Sequence, residues 1–188
     1  MKREQLEHVL RAASAIVGER DVLVLGSQAV LGSIPDERLP LEATTSIEAD
    51  VAFFDDPDDE KADQVDGAIG ELSRFHETYG YYAQGVSVTT AILPAGWRDR
   101  LIELDTPGSA PARGLCLEPH DCVVSKLVAG RWKDRDFAAA LVRDGLVDAD
   151  ILYERIDLLI DVSQAERARL RHWVDGHGRD PARPIPTS

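Results

Sequence analysis

Cysteine is nearly absent from this chain. Its two, Cys116 and Cys122, stand at a spacing that fits neither a zinc knuckle nor a redox Cys-x-x-Cys pair, so reduced thiols in a cytoplasmic protein are expected. Long apolar runs are missing as well. No stretch approaches the roughly 20 apolar residues of a membrane span, and Met1-Lys2-Arg3-Glu4-Gln5 leads into a helical pattern rather than a signal-peptide core. No membrane partner is expected. Positive charge is in short supply: 21 Lys and Arg face 34 Asp and Glu, for a net charge of −13. That balance repels phosphate backbones at long range, so any nucleic-acid binding rests on a local basic patch. The candidates are Arg98 with Arg100, Arg113, and the group Arg131, Lys133 and Arg135. Aromatics make up only 6% of the chain. Their one dense stretch, Phe75 to Tyr82, reads as strand and edge packing, with base stacking as the alternative. His76 within it has no partner at metal-ligand spacing and reads as a surface or loop residue. The acidic run Asp55 to Glu60 lacks the spacing and central glycine of a calcium loop. It reads as a solvated turn that caps the next helix.

What is present suffices for one domain. Apolar residues are 44% of 188, enough for a full core. Leu6, Val9, Leu10, Ala13 and Val17 recur at helical spacing and predict an amphipathic helix over residues 3 to 17, ended by Gly18. Val22 to Leu25 reads as a buried strand, and Gln28 to Leu31 as the first turns of a helix. Pro35 and Pro40 keep Ser33 to Ser46 irregular before a strand at Ile47 to Phe54. A helix over 61 to 72 turns Ala62, Val65, Ile69 and Leu72 inward. Val86 to Leu93 and Trp97 to Leu104 suit two strands, joined into a hairpin by Pro94-Ala95-Gly96. Residues 105 to 114 read as a loop and Leu115 to Leu117 as a short final strand. Helices follow from Pro119, from Arg131, over 149 to 160 and over 164 to 174, the last opened by a Ser163-x-x-Glu166 capping box. No repeat or second domain is visible.

The chemistry concentrates between Asp21 and Phe54. A glycine at a strand-to-helix corner lets the backbone approach a ligand. The Ser27 hydroxyl and the free N–H groups of the helix start can hold a phosphate. In Ile47 to Phe54 the period of two puts Glu48 and Asp50 on one face of a strand. Two carboxylates side by side after a phosphate-sized corner can hold Mg²⁺ against a nucleotide.

Strand, Gly26-Ser27, helix, loop, then acid-x-acid on the next strand resembles the nucleotidyltransferase signature of the DNA polymerase β superfamily. Within it, the chain looks most like the small MenT- and AbiEii-type toxins of bacterial toxin–antitoxin pairs. The resemblance covers residues 1 to 145. It implies an α/β (α+β) fold, a small mixed sheet backed by helices with a helical C-terminal part. The division expected is a nucleotidyltransferase-like core over 1 to 145, further helices of the same domain over 146 to 175, and a flexible tail over 176 to 188. Two departures stand out: the first metal carboxylate, usually Asp, is Glu48, and the loop before the acid pair is long.

By resemblance, Glu48 and Asp50 are catalytic metal ligands, and Gly26, Ser27 and Ser46 contact the nucleotide. Lys126 meets its phosphates, and Asp134 of the Lys133-Asp134 step is needed for activity, with Asp136 in reserve. The implied reaction moves a nucleoside monophosphate from an NTP to an acceptor, the tRNA 3′ end, with Mg²⁺ and a cognate antitoxin as partner. A third carboxylate, the base, belongs in the expected hairpin. Its first strand offers only Ser87, Thr89 and Thr90 and its second Asp99 and Glu103, so the base stays unassigned. Two rivals follow from these departures and from the acidic surface: a catalytically inactive binding module, and an enzyme that adds AMP to a protein hydroxyl.

Overall fold

The structure is a computed structural model that describes residues 1–178. The predicted tail lies outside the described residues from position 179 on, and its first residues belong to the last helix and its cap.

Helix α1, Arg3–Val17, buries Leu6, Val9, Leu10 and Ala13, and Gly18 closes it at a left-handed φ of 78°. Strand β1, Asp21–Val24, leads into a short 3₁₀ helix, Ser27–Gly32, where an α-helix is expected. After the one-turn α2, Leu41–Thr44, comes β2, Glu48–Ala52. Then follow α3, Glu60–Ile69, α4, Arg74–Tyr79, and β3, Tyr82–Gly85. Strands β4, Ile102–Leu104, and β5, Arg113–Cys116, precede helices α5, Pro119–Ala129, α6, Trp132–Arg143, α7, Ala149–Asp157, and α8, Gln164–His177.

The five strands form one mixed sheet in the order β3-β2-β1-β5-β4. β1 runs antiparallel to β2 and parallel to β5, β3 lies parallel to β2, and β4 antiparallel to β5. This is the mixed α/β architecture the sequence predicts. Helices α1 and α3 lie close to one face, and against the α3 backbone only glycine fits. A Cβ on Gly114 would sit 2.7 Å from Leu10 of α1, and one on Gly85 1.9 Å from the Ala62 carbonyl of α3. Among the described residues, no helix is long and apolar enough to cross a membrane.

The expected hairpin is absent. The strand is Tyr82–Gly85, and the stretch after it forms 3₁₀ turns at Val88–Thr90 and Trp97–Arg100. The Ser87 hydroxyl accepts the Thr89 N–H at 3.4 Å, capturing a donor that a strand ladder needs. Residues 102–104 pair with β5 instead. Leu72 also departs from expectation: α3 stops at Ile69 and Leu72 is exposed, with φ 62°.

Other local readings hold in part, and Phe75 to Tyr79, expected as strand, lies in helix α4. The acidic turn does cap α3, through the Asp56 carboxylate, which accepts the Lys61 and Ala62 N–H groups at 3.0 Å. Phe75, Tyr79 and Tyr81 pack with His8 of α1, ring centroids 4.6 to 6.1 Å apart, as packing rather than as an open stack. His76 lies in α4, not in a loop, and accepts the Leu72 N–H on Nδ1. Only half of the predicted capping box forms at α8. The Ser163 hydroxyl accepts the Glu166 N–H at 3.1 Å, while the Glu166 carboxylate turns to Arg169.

One buried charge ties the helical part to the sheet. Asp121 of α5 is fully buried and accepts two hydrogen bonds from Arg100, at 2.8 and 3.1 Å. Arg155 of α7 places Nε 3.1 Å from it, an ionic contact without hydrogen-bond geometry. Arg100 also donates to the Ala95 carbonyl, so it pins the β3–β4 connection to α5.

Candidate active site

Alternation along β2 sends Ala49 and Val51 into the core and turns Glu48 and Asp50 to the opposite face, half-buried. There they line a cleft of about 490 Å³ together with Gly26, Ser27, Lys126 and Asp134. Every residue the sequence assigns to the site lies in its walls, Ser46 included. Asp136 is exposed and outside it, so Asp134 is the aspartate of the Lys-Asp step that reaches the cleft.

Gly26 serves Asp50 directly. A Cβ at this position would lie 1.8 Å from Asp50 Oδ2, so any other residue here forces the carboxylate to move. Gly26→Ala is therefore expected to displace Asp50 and to lower stability by about 1–3 kcal/mol, as overpacking does. Thermal melts of Gly26→Ala, alone and with Asp50→Ala, check this. The cost should largely vanish in the double variant, because the clashing carboxylate is gone.

Ser27 opens the 3₁₀ helix, and its neighbour orients it. The buried Gln28 amide donates to Ser27 Oγ at 3.2 Å and to the Ala43 carbonyl at 3.4 Å. With a lone pair of Ser27 occupied, its own O–H is left to donate toward the cleft. The Ser46 hydroxyl is spent locally, bridging the N–H and C=O of Glu48 at 3.2 Å each. Ser46 thus fixes the start of the acid strand more than it offers a donor to a ligand.

The Asp50 carboxyl is pushed from its ordinary 3.8 up to about 6. Burial is the main cause, opposed by the charge of Lys126 and reinforced by Glu48. Tyr82 on β3 donates its hydroxyl to Glu48 Oε2 at 3.2 Å. Burial and the Glu48 charge push Tyr82 up to about 12, so it stays a phenol and a donor. Two carboxylates side by side in one cleft, one of them half-buried and raised by burial, are the place for a hard divalent cation. Among the described residues no group of three or more His, Cys, Asp or Glu side chains gathers at one point. Two carboxylates nonetheless suit Mg²⁺, which commonly takes one or two from the protein and the rest from substrate phosphates and water.

Lys126 is not a surface lysine, and Asp134 is not a helix cap. The Lys126 side chain is 14% exposed, with Nζ 3.8 Å from Asp134, which is itself 3% exposed. Arg131 closes the group through Nε, 2.7 Å from Asp134. Asp134 therefore holds two cations over the acid pair. Sequence reading proposed Arg131 only as part of a basic patch and missed its place here. Gln28 was also missed, and its only signal is its position directly after Gly-Ser.

Among the described residues, the strand beside the acid pair offers no third carboxylate. The strand beside the acid pair is β3, and its register sets Gln84 against Asp50. Gln84 lines the cleft but carries no titratable group. Asp99 and Glu103 lie around a separate hollow with Phe54 and Arg98.

Most of the proposed basic patch is also engaged. Arg100 belongs to Asp121, Arg113 is held by Asp21 at 2.7 Å and Glu103 at 3.3 Å, and Arg98 lies over the rings of Phe54 and Trp97. Among the described residues Lys133 and Arg135 make no ion pair, and only Lys133 of the two lines the cleft.

The family model that matches the chain is described as a nucleotidyltransferase of unknown function (DUF6036), and it covers residues 4–175. No curated protein and no solved structure matches the chain.

Proposed function

Since the chain belongs to the DUF6036 nucleotidyltransferases, we propose that its cleft moves a nucleoside monophosphate from an NTP to an acceptor hydroxyl with the help of Mg²⁺. The observation that carries this reading is one cleft holding Glu48 and Asp50 on one wall, Ser27 at its corner and Lys126 on the other. Glu48 and Asp50 would hold the cation, which supplies charge neutralisation between the phosphates. Ser27 donates to the triphosphate. Lys126, backed by Arg131, takes up the charge that develops on the leaving pyrophosphate. The acceptor oxygen forms a bond to the α-phosphorus as the bond from that phosphorus to the β-phosphate oxygen breaks. The hydroxyl proton passes to water or to a phosphate oxygen, because Gln84 stands beside Asp50 where a carboxylate base would be.

The tRNA 3′ end is the proposed acceptor, and with it the role of a toxin held by an antitoxin. A protein acceptor is the second reading. The observations behind it are the net charge of −13 and the arginines already spent on ion pairs. Labelled NTPs incubated with total tRNA and, separately, with total protein separate the two. A wild-type protein that labels neither and releases no pyrophosphate would leave an inactive binding module.

Lys126→Ala tests the phosphate role. Losing a charged hydrogen bond should raise the Kd for Mg-NTP about ten- to a hundredfold. Stability should drop only slightly, since Arg131 remains on Asp134. Calorimetric titration beside thermal melts reads both. Unchanged nucleotide affinity with a large loss of stability would make Lys126 structural.

A further inference from the structure

One side chain of the cleft wall has no structural use. Trp132 is 78% exposed, the largest apolar side chain left so open, yet it lines the cleft with Arg131, Lys133 and Lys126. Among the described residues its ring makes no aromatic or cation contact, unlike Trp97 on Phe54 and Trp173 on His177. Single exposed apolar residues are ordinary on a surface. An indole first in its helix, on the wall of a cleft that also holds Lys126, Arg131 and Lys133, is a different matter. Its backbone is fixed: the Arg131 carbonyl accepts the Asp134 and Arg135 N–H groups at 3.1 and 3.2 Å, and the Arg131 side chain is locked to Asp134.

We infer that Trp132 is the stacking platform for the nucleobase of the bound NTP. The inference rests on the nucleotide reading above and adds which part of the nucleotide the cleft grips and how. The groups suited to phosphate, Ser27 and Lys126, are partly buried in the cleft that holds the acid pair, while Trp132 on its wall is largely open to solvent. A triphosphate held at the buried end leaves its base toward the mouth, where a flat apolar ring is on offer. A rigid ring with two torsions loses little entropy on stacking, and stacking accepts any base because each has a π-face. The platform therefore favours purines, which have the larger face, and does not select one base strictly.

The test uses the full chain, Mg²⁺, and three probes: ATP, CTP and inorganic tripolyphosphate. Trp132→Ala should raise the Kd for ATP about five- to a hundredfold and that for CTP by less. Tripolyphosphate should bind as it does to wild type. Trp132→Phe should restore most of the ATP affinity, and the indole quenching that ATP causes in wild type should be absent from that variant. Thermal melts of both variants should match wild type, given the exposure of the ring. ATP binding unchanged in Trp132→Ala overturns the inference and leaves the nucleotide reading standing. Equal weakening of ATP and tripolyphosphate also overturns it, since the base is then not what was lost. Unchanged ATP affinity with lost transfer to tRNA would assign the ring to the acceptor instead. Wild-type protein that binds neither ATP nor tripolyphosphate sinks both readings.

Discussion

Asp50→Asn is expected to abolish nucleotide transfer while making the metal-free protein more stable. The activity loss follows from removing one of two charges facing the cation and should be on the order of 10² to 10³ or more. The gain in stability follows from burial. Asp50 titrates at about 6 in the folded chain against 3.8 in an ordinary environment. A carboxyl group raised in this way favours folding in its protonated form. Its contribution is complete below pH 4, declines as pH rises through 6, and is gone above that. The decline has an upper limit of about 3 kcal/mol. Above pH 7 without divalent cations, Asp50→Asn should therefore melt a few degrees above wild type, and the gap should close near pH 4. With Mg²⁺ the order should narrow or reverse, because cation binding favours the ionised form of Asp50. Wild-type affinity for Mg²⁺ should accordingly rise with pH through 6. Glu48→Gln should also abolish transfer, whereas Glu48→Asp should keep measurable activity. Pyrophosphate release and melts with and without Mg²⁺ across pH 4 to 8 read all of this. Transfer that survives Glu48→Gln unchanged would remove Glu48 from the mechanism.

Asp121→Ala is expected to cost about 3–5 kcal/mol, because it strands Arg100 and Arg155 around a site with no counter-charge. For a chain of this size that is a fall in melting temperature of roughly 6–20 °C. Asp121→Asn, which keeps the acceptor oxygen for Arg100, should cost less. The site should suffer too, although Asp121 is absent from its walls. Asp121 fixes α5, which carries Lys126, to the β3–β4 connection and to α7. Denaturant unfolding, with nucleotide affinity measured at a temperature where the variant is folded, checks both effects. A variant that melts like wild type would show that burial of this carboxylate is not held by its arginines.

Much of the site was legible before the fold because it rests on local rules. Period-two alternation places Glu48 and Asp50 on one face of β2 whatever that strand pairs with. Gly26-Ser27 marks a corner after a Val-rich run, and Lys126 and Asp134 follow in order on two helices. Errors came where local preference lost to a distant partner. The Ser- and Thr-rich run after Gly85 has strand propensity, but its Ser87 hydroxyl accepts a neighbouring backbone N–H, and the sheet takes Tyr82–Gly85 through its pairing with β2.

The amphipathic α1, the acid pair sharing one face and the scarcity of positive charge are written in the order of the residues, since composition and periodicity are properties of the chain alone. That Gln84 stands beside Asp50 in place of a third carboxylate, and that Gly26 leaves room for the Asp50 carboxylate, follows from packing. Packing also decides that Arg100 and Arg113 are spent on ion pairs and that Trp132 opens onto the cleft. Each of these depends on a contact between residues far apart in the chain. Strand register and ion-pair partners are set by packing the whole sheet at once, and no window along the sequence contains both members of such a pair.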